Sequence, residues 1–193
     1  MTTTAPLVVD IVDLPRQTGS VKDVRVTTAA PADLGTGVIG VPEGSPVVLD
    51  VQLTSMEDGV LARGRADVHI HGRCARCLRD LDEDRTIAFD ELYYLPRAAE
   101  AQAAEGDEEA ADLFLVGETD LDLEPALRDA LVLDLPFRPL CRQDCAGLCA
   151  QCGERLDDLP PDHHHDQLDP RWSALAALLP EQGGSDPGEK EQA

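Results

Sequence analysis

The segment Val47-Val48-Leu49-Asp50-Val51-Gln52-Leu53-Thr54 sets its odd-numbered, apolar residues on one face of an extended chain. This period of two residues is the pattern of a half-buried β-strand. The pair Asp58-Gly59 follows, and it favours a tight turn because glycine accepts a positive φ angle. The segment therefore predicts the first strand of a β-hairpin.

The same alternation continues on both sides of this segment. From Ala62 to Ile70 the even-numbered residues are small or apolar and the intervening ones are polar, and the run 85–94 carries Ile87, Phe89 and Tyr93 on one side. Shorter strands are predicted at 6–12, 21–27 and 113–116. Successive strands without helical patterns between them favour an antiparallel β-rich sheet or a partly closed barrel.

Two helices are predicted in the second half of the chain, which makes the fold class α+β with two or three short helices. The first runs from a cap at Asp122 to Pro136 and carries an apolar face. The second begins with Asp169 as its cap and Pro170 in the first turn. Its apolar stripe consists of Trp172, Leu175, Ala176 and Leu179.

These patterns predict a single domain with attachments. Residues 1–97 form its β-rich part, and 98–112 are interpreted as a flexible acidic insert because the segment is rich in Ala and Glu and repels itself. Residues 113–180 complete the domain with a strand, a helix, a Cys cluster and the terminal helix. A disordered tail is expected at 181–193.

The charge of the chain restricts the function classes. Its 193 residues contain 16 Lys and Arg against 38 Asp and Glu, for a net charge of −22. Such a charge opposes phosphate binding driven by counterion release and docking on an anionic membrane. It favours basic partners such as ribosomal proteins. We therefore expect no DNA and no membrane partner.

The compartment follows from the absence of targeting signals in this sequence. No apolar run approaches the length of about 18 residues that a membrane span needs. The first six residues lack a basic and apolar signal peptide pattern. The expected location is therefore the reducing cytoplasm, where cysteines are metal ligands or redox groups more often than disulfides.

The six cysteines carry the clearest chemical signal. One pair, Cys74 and Cys77, has the CxxC spacing of a zinc knuckle at the tip of a predicted hairpin, and the other four lie within twelve residues: Cys141, Cys145, Cys149 and Cys152. Thiolates suit tetrahedral zinc better than calcium or magnesium. We therefore expect a structural zinc ion.

The sequence leaves two ways to allocate four ligands to one zinc. The favoured one is the local set Cys141, Cys145, Cys149 and Cys152, because it closes no long loop. The other joins the two CxxC pairs, Cys74 and Cys77 with Cys149 and Cys152, as in zinc ribbons. The run His163-His164-His165 lies among acids and near Pro160-Pro161, so it is interpreted as an exposed linker.

An enzymatic function has little support in the sequence. CxxC is also a redox motif, but Cys74 and Cys77 run into a strand pattern rather than a helix. No phosphate-binding loop or nucleophile elbow is present. We therefore expect no catalytic residues and no small-molecule substrate.

Two surfaces are candidates for partner contact. The acidic stretch 98–127 contains ten Asp and Glu residues and no Lys or Arg, and it suits a basic protein. An Arg-rich rim near the first CxxC pair suits RNA phosphate. It consists of Arg63, Arg65, Arg73, Arg76 and Arg79.

The order of these features resembles the YceD family, the bacterial large ribosomal RNA subunit accumulation proteins. The resemblance lies in a strand-rich first half, Cys74-Ala75-Arg76-Cys77-Leu78, an acidic stretch and a helix ending at Leu135-Pro136. The segment from Pro139 to Gly153, with its four cysteines, and Asp169-Pro170-Arg171-Trp172 complete it. It covers most of the chain.

This resemblance implies a non-catalytic role in ribosome biogenesis, in which 23S ribosomal RNA is processed or accumulates properly. The implied partner is a precursor of the large ribosomal subunit, through 23S rRNA or a basic ribosomal protein. Two alternatives stay open at this point: a zinc-binding interaction module unrelated to ribosomes, and a CxxC thiol oxidoreductase.

Overall fold

The computed structural model describes residues 7–104 and 108–165, and its fold is α+β. The strands are β1 (Val8–Asp10), β2 (Val21–Ala29), β3 (Ile39–Gly40), β4 (Pro46–Ser55), β5 (Gly59–Arg73), β6 (Asp80–Tyr94) and β7 (Asp120–Asp122). The α-helices are α1 (Pro96–Ala104) and α2 (Glu124–Asp134), and short 3-10 helices span Glu108–Asp112 and Leu156–Asp158.

The main sheet has five antiparallel strands built around β5. On one side β5 pairs over its full length with β6, from Gly59 opposite Tyr94 to Arg73 opposite Asp80. On its other side it pairs first with β4 and then with the short β3, and β4 pairs onward with β2. Because β2 and β6 end the order of the described strands, the sheet is open, and the partly closed barrel is not formed.

The predicted alternation decides which sheet face is buried. The odd-numbered residues of β4 and the even-numbered residues of β5 are buried, while most of their neighbours face solvent. At Gly64 the missing side chain leaves room for the Phe89 ring, whose nearest atom would lie 2.3 Å from an added Cβ. The buried face is therefore continuous across the central strands, and it forms the main core.

Helix α2 covers the core beside β6 and joins it to a small second sheet. Leu127 and Leu131 are fully buried, as are Leu123 before the helix and Leu121 in β7. β7 pairs antiparallel with β1, and the Tyr93 hydroxyl donates a hydrogen bond to the Asp122 carbonyl 2.9 Å away. The helix predicted between Asp122 and Pro136 is confirmed.

Two features of residues 96–122 differ from the sequence pattern. The predicted strand at 113–116 is reduced to an isolated bridge between Tyr94 and Leu115, and the strand partner of β1 is β7 instead. Part of the segment interpreted as a flexible acidic insert lies in α1, where Ala99 is buried. Alanine has the highest helix propensity, which explains a helix in this Ala-rich stretch.

The predicted terminal helix from Asp169 and the predicted tail 181–193 lie outside the described residues. Within residues 7–104 and 108–165, neither α-helix has the length and apolar character that crossing a membrane requires.

Candidate metal centre

The turn between β5 and β6 is a compact knuckle around the first CxxC pair. The Cys74 amide donates to the Arg79 carbonyl at 2.8 Å, and the Leu78 amide donates back to the Cys74 carbonyl at 3.0 Å. Leu78 takes a left-handed φ of 56° to close this turn. We call residues 74–79 knuckle 1.

A second knuckle of the same construction lies around the last CxxC pair. The Cys149 amide donates to the Glu154 carbonyl at 2.7 Å, and the Gly153 amide donates to the Cys149 carbonyl at 2.9 Å. Gly153 occupies the left-handed position at φ 75°, where glycine carries no steric penalty. We call residues 149–154 knuckle 2.

Knuckle 1 completes a cluster of four sulfurs with the segment that follows α2. Cys74 Sγ lies 3.8 Å from Cys145 Sγ, and Cys77 Sγ lies 3.7 Å from Cys141 Sγ. All four sulfurs lie within 4.8 Å of one another, and three of the four residues are buried. These distances are far longer than the disulfide bond of about 2.05 Å, so the thiols are free. We call these residues the four-cysteine cluster.

Knuckle 2 forms a different cluster with two histidines. Cys149 Sγ lies 3.3 Å from His165 Nε2, and Cys152 Sγ lies 3.6 Å from His163 Nε2. The four ligand atoms lie within 4.8 Å of one another. Cys152 is exposed, and the other three residues are partly buried. We call these residues the cysteine–histidine cluster.

Backbone amides lower the thiol pKa of one cysteine in each cluster. Burial opposes ionisation of Cys74 most strongly, but amides of Cys141, Cys77 and Arg76 donate to its sulfur and lower its pKa to about 6. The amides of Cys152 and Gln151 likewise lower the pKa of Cys149 to about 6. A lowered thiol pKa favours metal binding, since the thiolate is the ligand form.

The remaining sulfurs of the four-cysteine cluster ionise less readily without a cation. Burial raises the pKa of Cys141 to about 12, and contact with the Cys145 and Cys77 thiols adds to the effect. Burial also raises the pKa of Cys145. Four thiolates at these distances repel one another, so a divalent cation between them would stabilise the charged form.

Arginine side chains attach the Cys-rich segment to knuckle 1. Arg76 donates from Nη1 to the carbonyls of Cys145 at 3.0 Å and Gln143 at 3.4 Å. From the other direction, Arg155 donates from Nε to the Cys77 carbonyl at 2.9 Å. These contacts satisfy turn carbonyls that a buried metal site would otherwise leave without partners.

The structure groups the six predicted ligand residues differently from either allocation considered. Neither the local set nor the ribbon-like set lies together, since Cys74 and Cys77 lie with Cys141 and Cys145, while Cys149 and Cys152 lie with the two histidines. His163 and His165, interpreted from the sequence as part of an exposed linker, are partly buried beside the sulfurs of knuckle 2. The available signal was a His-x-His pair following a CxxC knuckle at short range.

The residues of the predicted Arg-rich rim do not present free guanidinium groups as a set. Arg63 pairs with Asp90 at 2.6 Å, Arg73 with Asp80 at 3.3 Å and Arg79 with Asp158 at 3.2 Å. The Arg76 guanidinium donates hydrogen bonds to the carbonyls described above, and Arg65 is exposed on β5. Carboxylate partners compete with phosphate, which weakens the rim as an RNA surface.

Replacing Arg76 by alanine should lower the free energy of unfolding by about 1–2 kcal/mol, because two carbonyls of the Cys-rich segment lose a charged donor. Arg65→Ala is the matched control on the same rim, with an expected change within about 0.5 kcal/mol. Urea denaturation of the metal-loaded proteins measures both. Equal stability of the two variants would count against a structural role for Arg76.

Fold and site together define an α+β protein with an open antiparallel sheet and two clusters of Cys and His residues arranged to bind metal ions. The chain belongs to the YceD family, whose model, described as large ribosomal RNA subunit accumulation protein YceD, matches residues 62–179. The matched range contains every ligand candidate of both clusters. The resemblance drawn from the sequence motifs is confirmed.

The chain is also similar to several proteins that carry no functional name. It is 39% identical over 175 residues to an uncharacterized protein of Mycobacterium tuberculosis, covering 91% of this chain and 82% of that protein. It is 34% identical to one of Mycobacterium leprae, covering 91% and 78%, and 25% identical to YlbN of Bacillus subtilis, covering 62% and 74%. No solved structure matches the chain.

Proposed function

We propose that this protein is a non-catalytic ribosome biogenesis factor of the cytoplasm that supports accumulation or processing of 23S rRNA and assembly of the large subunit. The observation that carries the proposal is membership of the YceD family, whose description names accumulation of the large ribosomal RNA subunit. In this proposal the protein binds a precursor of the large subunit and holds no substrate of its own.

The ion we propose for the four-cysteine cluster is structural zinc. Tetrahedral zinc with bonds of about 2.3 Å to sulfur separates its ligands by about 3.8 Å. The two closest sulfur pairs lie at 3.8 and 3.7 Å. The ion would join the tip of the β5–β6 hairpin to the segment after α2, and four cysteines leave no open position for a substrate.

The direct partner favoured by the charge distribution is a basic ribosomal protein. β6 is an edge of the described sheet and carries one Arg and six acids, five of which pair with an Arg or His side chain that a basic partner would have to replace: Asp80, Asp82, Glu83, Asp84, Asp90 and, without such a pair, Glu91. Leu133 of α2, the helix that packs beside β6, is 86% exposed, and Phe137 after the helix is 96% exposed near the hairpin tip at Arg73 and Cys74. Acidic groups beside exposed apolar side chains suit a protein whose basic surface includes apolar residues.

A contact with 23S rRNA through the Arg-rich rim is the second arrangement we consider. Net charge opposes it, and the ion pairs of Arg63, Arg73 and Arg79 would have to open. In its favour, Arg73, Arg76 and Arg79 lie in or beside knuckle 1, whereas Arg63 and Arg65 lie about 26 Å or more away along β5.

The competing proposal of thiol oxidoreductase chemistry rests on the lowered pKa values of Cys74 and Cys149. Cys74 is fully buried among three other sulfurs, which hinders attack on a substrate disulfide. Thiol titration separates the two proposals. Catalytic thiols react quickly in the native protein, whereas metal-held thiolates react only after chelation.

Deleting the gene should lower the ratio of large to small ribosomal subunits on a sucrose gradient and cause unprocessed 23S rRNA to accumulate. The physical reason is that assembly intermediates lacking a bound factor mature more slowly. A normal gradient with normal 23S rRNA in the deletion strain would falsify this proposal.

The direct partner can be identified by isolating the tagged protein from cells, followed by mass spectrometry and RNA sequencing. A basic large-subunit protein enriched after nuclease treatment favours the acidic edge as the contact, and Phe137→Ser should then reduce its recovery. Recovery of 23S rRNA fragments that Arg65→Ala reduces would favour the rim instead.

A further inference from the structure

We propose that Cys149, Cys152, His163 and His165 bind a second zinc ion, and that this ion exchanges with chelators faster than the ion held by the four-cysteine cluster. The inference concerns metal content and does not depend on the ribosomal role. It extends the structural zinc proposed above from one ion to two ions of different accessibility.

Knuckle 2 repeats the backbone hydrogen bonds of knuckle 1. In each, the first cysteine amide donates to the carbonyl five residues ahead and the fifth residue's amide donates back, with a left-handed residue in that fifth position. In each, the amides of the third and fourth residues donate to the first cysteine sulfur. Such amides stabilise a thiolate that is bound to a metal ion.

The distances between the ligand atoms of the cysteine–histidine cluster match those of a tetrahedral zinc site. Zinc bonds of about 2.3 Å to sulfur and about 2.0–2.1 Å to nitrogen in a tetrahedron separate sulfur from nitrogen by about 3.6 Å. The two sulfur–nitrogen pairs lie at 3.3 and 3.6 Å. Two thiolates and two neutral imidazoles form a complete four-ligand site, with no place for a substrate.

The two clusters differ in solvent exposure, so the two ions should differ in exchange rate. Cys74 and Cys77 are 0% and 1% exposed, so a chelator reaches the four-cysteine cluster only when the Cys-rich segment opens. Cys152 is exposed, and its three fellow ligands are partly buried, so a chelator can approach the cysteine–histidine cluster from solvent. The free energy of opening the Cys-rich segment therefore limits metal release from the four-cysteine cluster but not from the cysteine–histidine cluster.

The second ion would close a loop that supports the first site. Residues 153–162 separate the CxxC pair from the histidines, and this loop supplies Arg155 to the Cys77 carbonyl and Asp158 to Arg79. Asp157 of the same loop pairs with Arg142 beside Cys141. An ion that holds both ends of the loop lowers the conformational entropy that the loop loses when it makes these contacts. The ion would therefore favour the contacts.

The test is zinc content and zinc release for the full chain, using elemental analysis and a colorimetric chelator. Wild-type protein should contain two zinc ions, of which one is released at least tenfold faster. The double variant His163→Ala with His165→Ala should contain one ion and lose the fast phase. His164→Ala, which changes the neighbouring exposed histidine, should keep two ions and both phases.

Other stoichiometries overturn one proposal or the other. One ion in both wild type and the double variant would refute the second site and leave the zinc proposed for the four-cysteine cluster standing. One ion in wild type and none in the double variant would establish the second site and refute zinc in the four-cysteine cluster. No zinc in either, after expression with zinc, would refute both.

Cobalt titration of the wild-type chain gives a test that needs no folded variant. Co²⁺ in the cysteine–histidine cluster should absorb at shorter wavelength than Co²⁺ in the four-cysteine cluster, since imidazole is the stronger-field ligand. Two successive spectra, each saturating at one equivalent, would support two sites. Saturation at one equivalent with only the spectrum of four thiolates would refute the second site.

Discussion

Cys74→Ser is expected to lower the free energy of unfolding by at least about 4 kcal/mol, because it removes a ligand from the proposed buried zinc site, whose binding energy would be coupled to folding. Cys74 is fully buried and accepts hydrogen bonds from three backbone amides. For a chain of this length the loss corresponds to a melting temperature about 8–16 °C lower. Zinc content should fall by one ion per chain.

The matched control is Cys152→Ser, which removes an exposed ligand from the cysteine–histidine cluster. It should also remove one ion but destabilise the chain by only about 1–2 kcal/mol, because the main core and the four-cysteine cluster remain intact. Differential scanning calorimetry and elemental analysis measure both effects. An unchanged melting temperature for Cys74→Ser would contradict the proposed coupling of metal binding to folding.

Leu127→Ala should lower the free energy of unfolding by about 2–5 kcal/mol, the usual cost of a cavity at a fully buried leucine. Leu127 is 0% exposed and lies on the face of α2 that covers the core beside β6. Its removal should leave zinc content unchanged, since no metal ligand lies on α2. Chemical denaturation of the zinc-loaded variant measures the loss.

Leu133→Ala is the matched control, because Leu133 lies on the same helix but is exposed to solvent. Leu133 is 86% exposed, so the same truncation should change stability by less than about 0.5 kcal/mol. Similar losses for Leu127→Ala and Leu133→Ala would contradict the assignment of the loss to the buried core, because alanine has the higher helix propensity at both positions.

Much of the sheet could be predicted from the sequence because its signal is local. The period of two residues in β4 and β5 identified the buried face correctly, and Asp58-Gly59 lies at the turn between the two strands, with Gly59 as the first residue of β5. The strand at 113–116 failed because four apolar residues carry no periodicity that separates a strand from a buried loop. β7 was missed because its three residues form a strand only against the distant β1.

The candidate metal centre could be predicted in composition but not in grouping. CxxC spacing and the glycine at 153 indicate a knuckle from the sequence, and the hairpin tip at Cys74 and Cys77 was anticipated. The acidic and proline-rich surroundings of the histidines predict solvent exposure. That surrounding loop instead contributes Asp157 and Asp158 to ion pairs with Arg142 and Arg79.

The net charge, the free thiols, the alternating strands and both knuckles follow from local sequence, because each depends on composition or on residues a few positions apart. Local sequence does not decide which ligand residues lie together, because the distance between Cys74 and Cys145 depends on the paths of β6 and α2. The full-length pairing of β5 with β6 and the packing of α2 beside β6 return the segment after α2 to the hairpin tip. Cys141 and Cys145 reach knuckle 1 by this route, which leaves knuckle 2 to the histidines.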